Sequence, residues 1–201
     1  MPSNATFETP DVRYFEQWSR TYERSWMQRF LFNRVHLAAL DLAASLPAPA
    51  SVLDVGCGTG RLLRAAAARW PDARLIGVDP AQGMVDIAVA LTPGATIHRA
   101  LAQSLPLPDA SVDLVFSTMS FHHWRDHVGG VREIARVLRP GGHFILVDFA
   151  PPRGMAWLAG HEGAPRASAR QRVFTAAGLR VERQRRVVYP FLLATIAAAQ
   201  A

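Results

Sequence analysis

SVLDVGCGTGRLLRAAAARW, residues 51–70, consists of an apolar run, a loop with glycine at every second position and a run with helical periodicity. A strand, a tight glycine turn and a helix in this order allow the backbone to approach a nucleotide-like ligand closely. A dinucleotide-binding fingerprint, G-x-G-x-x-G, would require glycine at position 61, where this chain has Arg61. The spacing therefore predicts a ligand-binding turn of another kind and argues against an NAD-dependent oxidoreductase.

An acidic residue follows at the distance that a nucleotide-binding βαβ unit predicts. The run 74–79 has the pattern of a second strand. Its last residue, Asp79, lies about 20 residues after the glycine loop, where an acid accepts hydrogen bonds from ribose hydroxyls. Pro80 comes next and suits the first turn of a helix. The alternative for Asp79 is a helix N-cap.

The rest of the chain alternates between strand and helix patterns. We predict strands near 51–55, 74–79, 95–100, 112–117 and 143–149, and helices near 60–69, 81–91 and 126–138. Residues 11–46 predict two helices ahead of the sheet, 150–169 a loop, 170–177 a helix, and 179–185 and 187–196 two final strands, although 191–199 would also suit a terminal helix. Alternating elements predict an α/β fold of one domain, residues 1–201, with a doubly wound, mostly parallel sheet and helices on both faces.

Composition and charge restrict the class of protein. The chain has 201 residues, a net charge of +6 and a single cysteine, Cys57. A lone cysteine excludes an internal disulfide, and the N-terminus has no basic, apolar leader, so we expect a cytoplasmic protein without a membrane span. The basic residues are all arginine and are spread along the chain. Their one cluster, Arg180, Arg183, Arg185 and Arg186, predicts a solvated face and not a nucleic-acid partner.

Three further segments, taken with the glycine turn and Asp79, resemble one known family. LPLPDASVDLV at 105–115, FHHW at 121–124 and VLRPGG at 137–142 follow one another in this order. As a set they are similar to motifs of the class I S-adenosylmethionine (SAM) methyltransferases, in particular the UbiE-like, or type 11, methyltransferases of quinone biosynthesis. The resemblance extends from residue 11 to the end of the chain.

The resemblance implies a Rossmann-like fold with a seven-stranded sheet and N-terminal helices. It divides the domain into cap helices at 11–46, a cofactor-binding core at 50–150, and a substrate-side loop and final strands at 151–201. The cofactor would be SAM, the product S-adenosyl-L-homocysteine (SAH), and no metal is expected. The cofactor-binding residues that it implies are Asp54, Gly56, Cys57, Gly58, Gly60, Asp79, Pro80, Met84, Ala102, Gln103, Ser117 and His122.

Several of these positions have an ordinary structural alternative. Asp54 matches the family's acid near the ammonium group of the cofactor, but it could also accept N–H bonds within its loop. Met84 would pack on adenine or fill the core, and Cys57 is expected to be a small apolar spacer. Leu101 departs from the family, which commonly has an acid or amide there that contacts the adenine amino group. The loss of one hydrogen bond, about 1 kcal/mol, predicts weaker cofactor binding.

Two histidines are the candidate catalytic residues. Methyl transfer needs a general base when the acceptor must lose a proton, and His122 or His123, after the fourth strand, would be a competent base near neutral pH. The alternative is that one packs against the cofactor and the other caps the helix that begins near Asp126. His123 and His127 have zinc-ligand spacing, but Trp124 stands where H-E-x-x-H has glutamate, so we expect no metal site.

The implied function is methyl transfer to a small-molecule acceptor by a monomer or homodimer. An apolar lining from Trp18, Phe121, Trp124 and Trp157 predicts an aromatic or lipophilic acceptor, although residues of each of these types are more often found in the core. Two alternatives stay open. One is a SAM-binding protein with weak or no catalysis, which Leu101 would favour. The other is a methyltransferase acting on RNA or protein, which predicts a recognition domain or an N-P-P-Y motif that the sequence does not contain.

Overall fold

The computed structural model describes residues 7–24, 28–150 and 167–200. The described helices are α1 (Pro10–Tyr22), α2 (Asn33–Ala43), α3 (Arg61–Arg69), α4 (Gln82–Leu91), α5 (His127–Val137) and α6 (Ala167–Ala176). A π-helical turn at Gln28–Phe32 precedes α2, and a 3-10 turn at Phe121–His123 precedes α5. The strands are β1 (Ser51–Val55), β2 (Arg74–Asp79), β3 (Thr96–Arg99), β4 (Val112–Thr118), β5 (Leu138–Phe149), β6 (Leu179–Val187) and β7 (Tyr189–Ala199).

The strands form one seven-stranded sheet in the order β3-β2-β1-β4-β5-β7-β6. The pairs β1–β2, β1–β4, β2–β3 and β4–β5 are parallel, whereas β7 runs antiparallel to both β5 and β6. This confirms the predicted mostly parallel, doubly wound α/β sheet. The strand order reverses between β1 and β4, and ligands of such sheets bind beside the carboxyl ends of the strands at this reversal.

Some predicted boundaries were wrong. β5 begins at Leu138, before Pro140, because Val112 of β4 already pairs with Leu138, and the register shifts before the pairing resumes at Leu114 and His143. The run 191–199 is strand and not helix, since β7 pairs along its length with β5 and β6. Helix α6 begins at Ala167, inside the predicted loop 150–169, and residues 151–166 of that loop lie outside the described residues.

The core lies on both faces of the sheet, which explains why the central strands read as continuous apolar runs. One cluster, between the sheet and helices α2 and α3, includes the fully buried Val35 and Leu63. The other, between the sheet and helices α5 and α6, includes the fully buried Ile134 and Phe174. Since both faces are covered, the carboxyl edge of the parallel strands is the part of the sheet that stays open to a ligand.

Helix α1 lies across this carboxyl edge and is held there by two glutamates. Glu16 Oε1 accepts a hydrogen bond of 2.9 Å from the Gly83 N–H near the start of α4. Glu23, at the end of α1, accepts a bond from the Thr59 hydroxyl and forms ion pairs with Arg61 at 2.5 Å and Arg64 at 3.3 Å. Helix α1 is therefore anchored to the start of α4 and to the glycine turn.

The arginine cluster of β6 lies on an edge strand. Arg180, Arg183, Arg185 and Arg186 are exposed, and an exposed row of charges on a sheet edge discourages pairing with other strands. In the described part of the chain, no helix has both the length and the apolar character needed to cross a bilayer.

Candidate active site

The glycine turn connects β1 to α3 at the carboxyl edge of the sheet. Gly56 has a φ of +78° and Gly58 of +51°, a left-handed conformation that glycine adopts without steric cost. A β-carbon at Gly56 would lie 2.0 Å from Ser120 Oγ, so the segment after β4 packs directly on the turn. The turn therefore exposes backbone atoms, and not side chains, to the space above the sheet.

Asp79 ends β2 and lies beside this turn. Its Oδ2 accepts a 2.9 Å hydrogen bond from the Gly58 N–H, and its Oδ1 accepts one of 2.9 Å from the Ala81 N–H. The cap residue of α4 is Ala81, so Asp79 is not the helix N-cap of the alternative interpretation. Burial raises the pKa of Asp79 to about 6, although the two backbone bonds oppose the shift.

The larger of two cavities beside the glycine turn lies between this turn, Asp79 and helix α1, and concave sites of this kind are where small molecules bind. Of the predicted residues, Gly56, Gly58, Asp79, Pro80, Met84, Ala102, Gln103 and His123 line it. Met84 is also fully buried against Ala81 and Val12. It therefore fills the core, as one interpretation predicted, and it also borders the cavity where the other interpretation expects adenine. Leu101 lines the same wall and presents an apolar side chain there.

A smaller cavity lies behind the glycine turn and is lined by Asp54, Cys57 and His36, among others. Asp54 Oδ1 is buried and has no hydrogen-bond partner among the described residues, so the loop-capping alternative is not realised at this atom. Burial, together with the charge of Asp79, raises the pKa of Asp54 to about 8. An unpaired buried acid is costly unless a cationic or hydrogen-bonding group pairs with it.

Three predicted binding residues have other surroundings. Gly60 turns the chain into α3, and a β-carbon there would lie 2.5 Å from Thr92 Oγ1, so its glycine is required by packing on α4. Ser117 is fully buried within β4. Cys57 is a buried thiol that lines the smaller cavity, and burial raises its pKa, as expected of an apolar spacer. Gly60 and Ser117 are not among the residues that line either cavity.

The two candidate histidines have different environments. His123 lines the larger cavity, where its ring lies edge-on to Phe15 at 5.0 Å and its Nδ1 is 3.7 Å from Asp11 Oδ1. His122 is buried beside it, and the two ring centroids are 4.0 Å apart. The side chain that caps α5 is Asp126, which accepts from the Gly129 N–H, so neither histidine is its cap.

Asp148 is a residue that the sequence reasoning did not identify. It is fully buried near the end of β5, and its Oδ1 lies 2.6 Å from His122 Nδ1 while its Oδ2 accepts from the His122 N–H at 3.1 Å. Burial alone would raise the pKa of Asp148, but the charges of His122 and Arg170 and the bond to His122 lower it below its ordinary value. An acid near the end of the fifth strand, as at the end of the second, is the signal that could have found it.

The predicted aromatic lining is only partly present. Trp124 lines the larger cavity, and its Nε1 donates to Ser120 Oγ at 3.1 Å. Phe121 is fully buried in the core, which removes it from the lining. Trp18 packs against Tyr22, 4.6 Å between centroids, and Trp157 lies outside the described residues. Helix α1 adds two further aromatic residues, Phe15 and Tyr22, to the cavity wall.

His123 and His127, the pair with zinc-ligand spacing, have different surroundings. His127 Nε2 is 3.0 Å from the Phe121 carbonyl, and its ring packs on Phe121. Among the residues with described positions, no three His, Cys, Asp or Glu side chains are grouped so that they could hold a metal ion.

Part of this chain is similar in sequence to known methyltransferases. Residues 53–146 match a family model described as a methyltransferase domain. A malonyl-[acyl-carrier protein] O-methyltransferase of Methylococcus capsulatus is 38% identical over 121 residues, which are 56% of this chain and 44% of the relative. A demethylmenaquinone methyltransferase of Thermus thermophilus is 36% identical over 118 residues, which are 57% of this chain and 53% of the relative. The chain thus spans about half the length of these curated relatives.

Solved structures share the fold over most of the chain. A chain in the complex between the Haloferax volcanii Trm112 methyltransferase activator and its methyltransferase superimposes with a TM-score of 0.78. The match covers 93% of this chain and 98% of that chain, at 24% sequence identity. At this identity the likeness shows a shared fold, and it supports the arrangement of strands and helices described above.

Proposed function

We propose, from the premise that this chain belongs to the class I SAM-dependent methyltransferases, that it transfers the methyl group of SAM to a small-molecule acceptor. The observation that carries the proposal is the larger cavity, because it brings the glycine turn, the acid at the end of β2 and a histidine to one space at the carboxyl edge of the sheet. These groups come from separate parts of the sequence, and the core of the fold alone does not need them in one place.

The residues present fit SAM. Asp54 offers a buried acceptor atom without a partner among the described residues, which suits the ammonium group of the ligand. Asp79 is positioned for ribose hydroxyls, and Gly56 and Gly58 allow close approach of the backbone. The apolar wall at Met84, with the backbone of Ala102, suits a purine. When bound, SAM supplies a methyl group on a positively charged sulfur, and SAH is the product of the transfer.

His123 is the general base of the proposed reaction. With SAM bound, its methyl group would pass to the acceptor, and His123 would take up the proton that the acceptor loses. Asp11 Oδ1 lies 3.7 Å from Nδ1, a ring nitrogen of this histidine. His122 is the alternative base, but it is buried and already held by Asp148, so we assign it a positioning role.

The acceptor is proposed to be aromatic or lipophilic, with a hydroxyl or other group that loses a proton on methylation. Phe15, Tyr22 and Trp124 supply three aromatic side chains to the cavity wall, and Met119 adds a polarisable thioether. The names of the two relatives, which refer to a demethylmenaquinone and to a malonyl group on a carrier protein, give the first two acceptor types to test.

The test is transfer of a radiolabelled methyl group from SAM to a panel of quinols, phenols and malonyl thioesters. We expect product with at least one acceptor, and a loss of at least tenfold in kcat for His123→Asn. The surface variant Arg183→Gln serves as a control that should keep full activity. Binding of SAH without transfer to any acceptor would instead favour a weakly catalytic or non-catalytic SAM-binding protein, the candidate that apolar Leu101 supports.

A further inference from the structure

The two cavities beside the glycine turn are neighbours. Four residues line both of them: Tyr22, Gly56, Gly58 and Thr118. An elongated ligand would therefore pass the glycine turn and reach from one cavity into the other. The smaller cavity has the more polar lining of the two, so it suits the charged end of such a ligand.

Asp54 supplies the acidic group of the smaller cavity. Its side chain is buried, and its Oδ1 has no hydrogen-bond partner among the described residues. A buried carboxyl without a partner is costly, and a cationic ligand group would offset that cost. The ammonium group at the methionine end of SAM is such a group, and it shares its carbon atom with a carboxylate. A cavity that binds the ammonium group must therefore also accommodate an anion.

Two other polar side chains of this cavity already have partners. Arg61 donates from Nε and Nη2 to Glu23 and from Nη1 to Asn33. The Thr59 hydroxyl also donates to Glu23. These bonds hold the start of α3 to the end of α1 and the start of α2, so the donors are occupied within the protein.

His36 is a polar side chain of the same cavity without such a partner. It lies on α2 one helical turn after Phe32, and both side chains line the cavity, as expected of positions four residues apart on a helix. In the described part of the chain, the His36 ring makes no hydrogen bond or ion pair. Burial, with the charges of Arg61 and Arg64, lowers the pKa of His36 to about 4, so the ring is neutral at pH 7 and has one N–H to donate.

The surroundings of His36 favour an anion. The positive charges of Arg61 and Arg64 attract a carboxylate, although Glu23, which pairs with both, offsets part of this effect. Helix α3 begins at Arg61 and has no side-chain cap, so the free N–H groups and the dipole at its start also favour negative charge. Asp54, in contrast, favours a cation.

We propose that His36 binds the carboxylate of the methionine part of SAM, in the same cavity in which Asp54 binds the ammonium group. The inference rests on the proposed function, and it adds a residue of α2 to a cofactor site otherwise built from the glycine turn and the end of β2. His36 and Asp54 together recognise a zwitterion. The protein should therefore distinguish SAH from an analogue without the carboxylate.

The experiment is calorimetric titration of the full chain with SAH and with decarboxylated SAH, which retains the ammonium group and lacks the carboxylate. The wild type should bind decarboxylated SAH about tenfold more weakly than SAH, because a hydrogen bond to a charged group is lost. Equal affinity of the wild type for the two ligands would overturn the proposal, and this comparison does not depend on any variant folding.

Variants test the residue itself. His36→Leu should weaken SAH binding about tenfold and leave the affinity for decarboxylated SAH unchanged, because only the carboxylate loses a partner. His36→Gln, which retains an N–H donor, should recover most of the loss. The matched control is His98→Leu, since His98 lies on β3 and does not line either cavity. This control should leave both affinities unchanged.

The titrations distinguish two kinds of failure. Equal weakening of both ligands by His36→Leu would mean that His36 only supports the cavity, and unchanged SAH affinity would mean that it makes no contact. Either result refutes this inference while SAH binding stands. If the wild type binds neither ligand, the proposed function fails as well. A selective loss in His36→Leu without methyl transfer to any acceptor would leave the binding assignment standing and refute the transfer alone.

Discussion

Substitution of Gly56 by alanine should destabilise the protein by two separable effects, backbone strain and steric overlap. Gly56 has a φ of +78°, and an alanine held in this left-handed conformation costs about 1–2 kcal/mol. Alanine also restricts the unfolded chain, which returns about 0.4–1 kcal/mol. Strain alone therefore accounts for a net loss of about 1 kcal/mol.

The overlap is the larger effect. A β-carbon at Gly56 would lie 2.0 Å from Ser120 Oγ and 2.5 Å from Ser120 Cβ, far inside van der Waals contact. Forcing extra atoms into a packed site costs about 1–3 kcal/mol. The sum for Gly56→Ala is a loss of about 2–4 kcal/mol, together with displacement of the Ser120 segment that lines the cavity.

Two control variants separate the effects. Gly94 has a φ of +88°, but a β-carbon there would have no neighbour within 4 Å, so Gly94→Ala measures strain alone and should cost about 1 kcal/mol. The double variant Gly56→Ala/Ser120→Gly removes the side chain that causes the overlap. It should recover about 1 kcal/mol or more relative to Gly56→Ala, after correction for Ser120→Gly measured alone.

The assay is urea unfolding followed by tryptophan fluorescence, with the slope of the transition compared between variants. Equal losses in Gly56→Ala and Gly94→Ala would refute the close approach of Ser120 to the glycine turn. The same result would remove the packing reason for glycine at position 56.

Three further predictions concern charge and backbone strain. The pKa of Asp54 is raised from 3.8 to about 8, so the folded protein keeps a proton that the unfolded chain has already released. The free energy of unfolding therefore falls as the pH rises toward 8, by up to about 1.4 kcal/mol per pH unit. Asp54→Asn should flatten the fall in unfolding free energy between about pH 6.5 and 8, and an unchanged slope would contradict the shift. Glu23→Gln should lower the unfolding free energy by about 1–2 kcal/mol, because the ion pairs of Glu23 are mostly shielded from solvent. The control Glu8→Gln removes an exposed ion pair and should change the unfolding free energy by less than about 0.5 kcal/mol. Similar losses in the two variants would show that Glu23 does not anchor α1. Val188 has a φ of +60°, a strained backbone conformation for a β-branched residue. Val188→Gly should relieve this strain and raise the free energy of unfolding by about 1 kcal/mol. A lower urea midpoint for the variant would contradict the strain.

The sequence predicted the sheet well because its signals are local. The apolar runs that end at Val55 and Asp79, and the glycines between them, determine a strand, a turn and a second strand without knowledge of distant residues. The start of β5 was missed for the opposite reason. Pairing of Leu138 with Val112 is a contact between distant segments, and the Pro140 turn signal is stronger in the sequence than that contact.

The candidate site was predicted in part. Residues within one local unit of the chain were predicted, whereas residues that depend on contacts with distant segments were not. Gly56, Gly58 and Asp79 belong to one βαβ unit, and all three line the cavity. Asp148 and Arg170 gain their significance from contacts with His122 and Phe149, which no spacing in the sequence indicates. Phe121 is the opposite case: its aromatic side chain predicted a residue that lines the acceptor site, but it is buried in the core.

The most direct test of the cofactor site is calorimetric titration of the full chain with SAH, comparing the wild type with Asp79→Asn and Asp113→Asn. Asp113 bonds to Ser51 and Arg139, away from the residues that line the cavity, and controls for the loss of a carboxylate elsewhere. We predict binding by the wild type and by Asp113→Asn, and affinity about 10 to 100 times weaker for Asp79→Asn, as expected for a lost hydrogen bond to a charged group. Absence of binding by the wild type at millimolar SAH, or equal affinity in all three proteins, would contradict the assignment of this cavity to SAM.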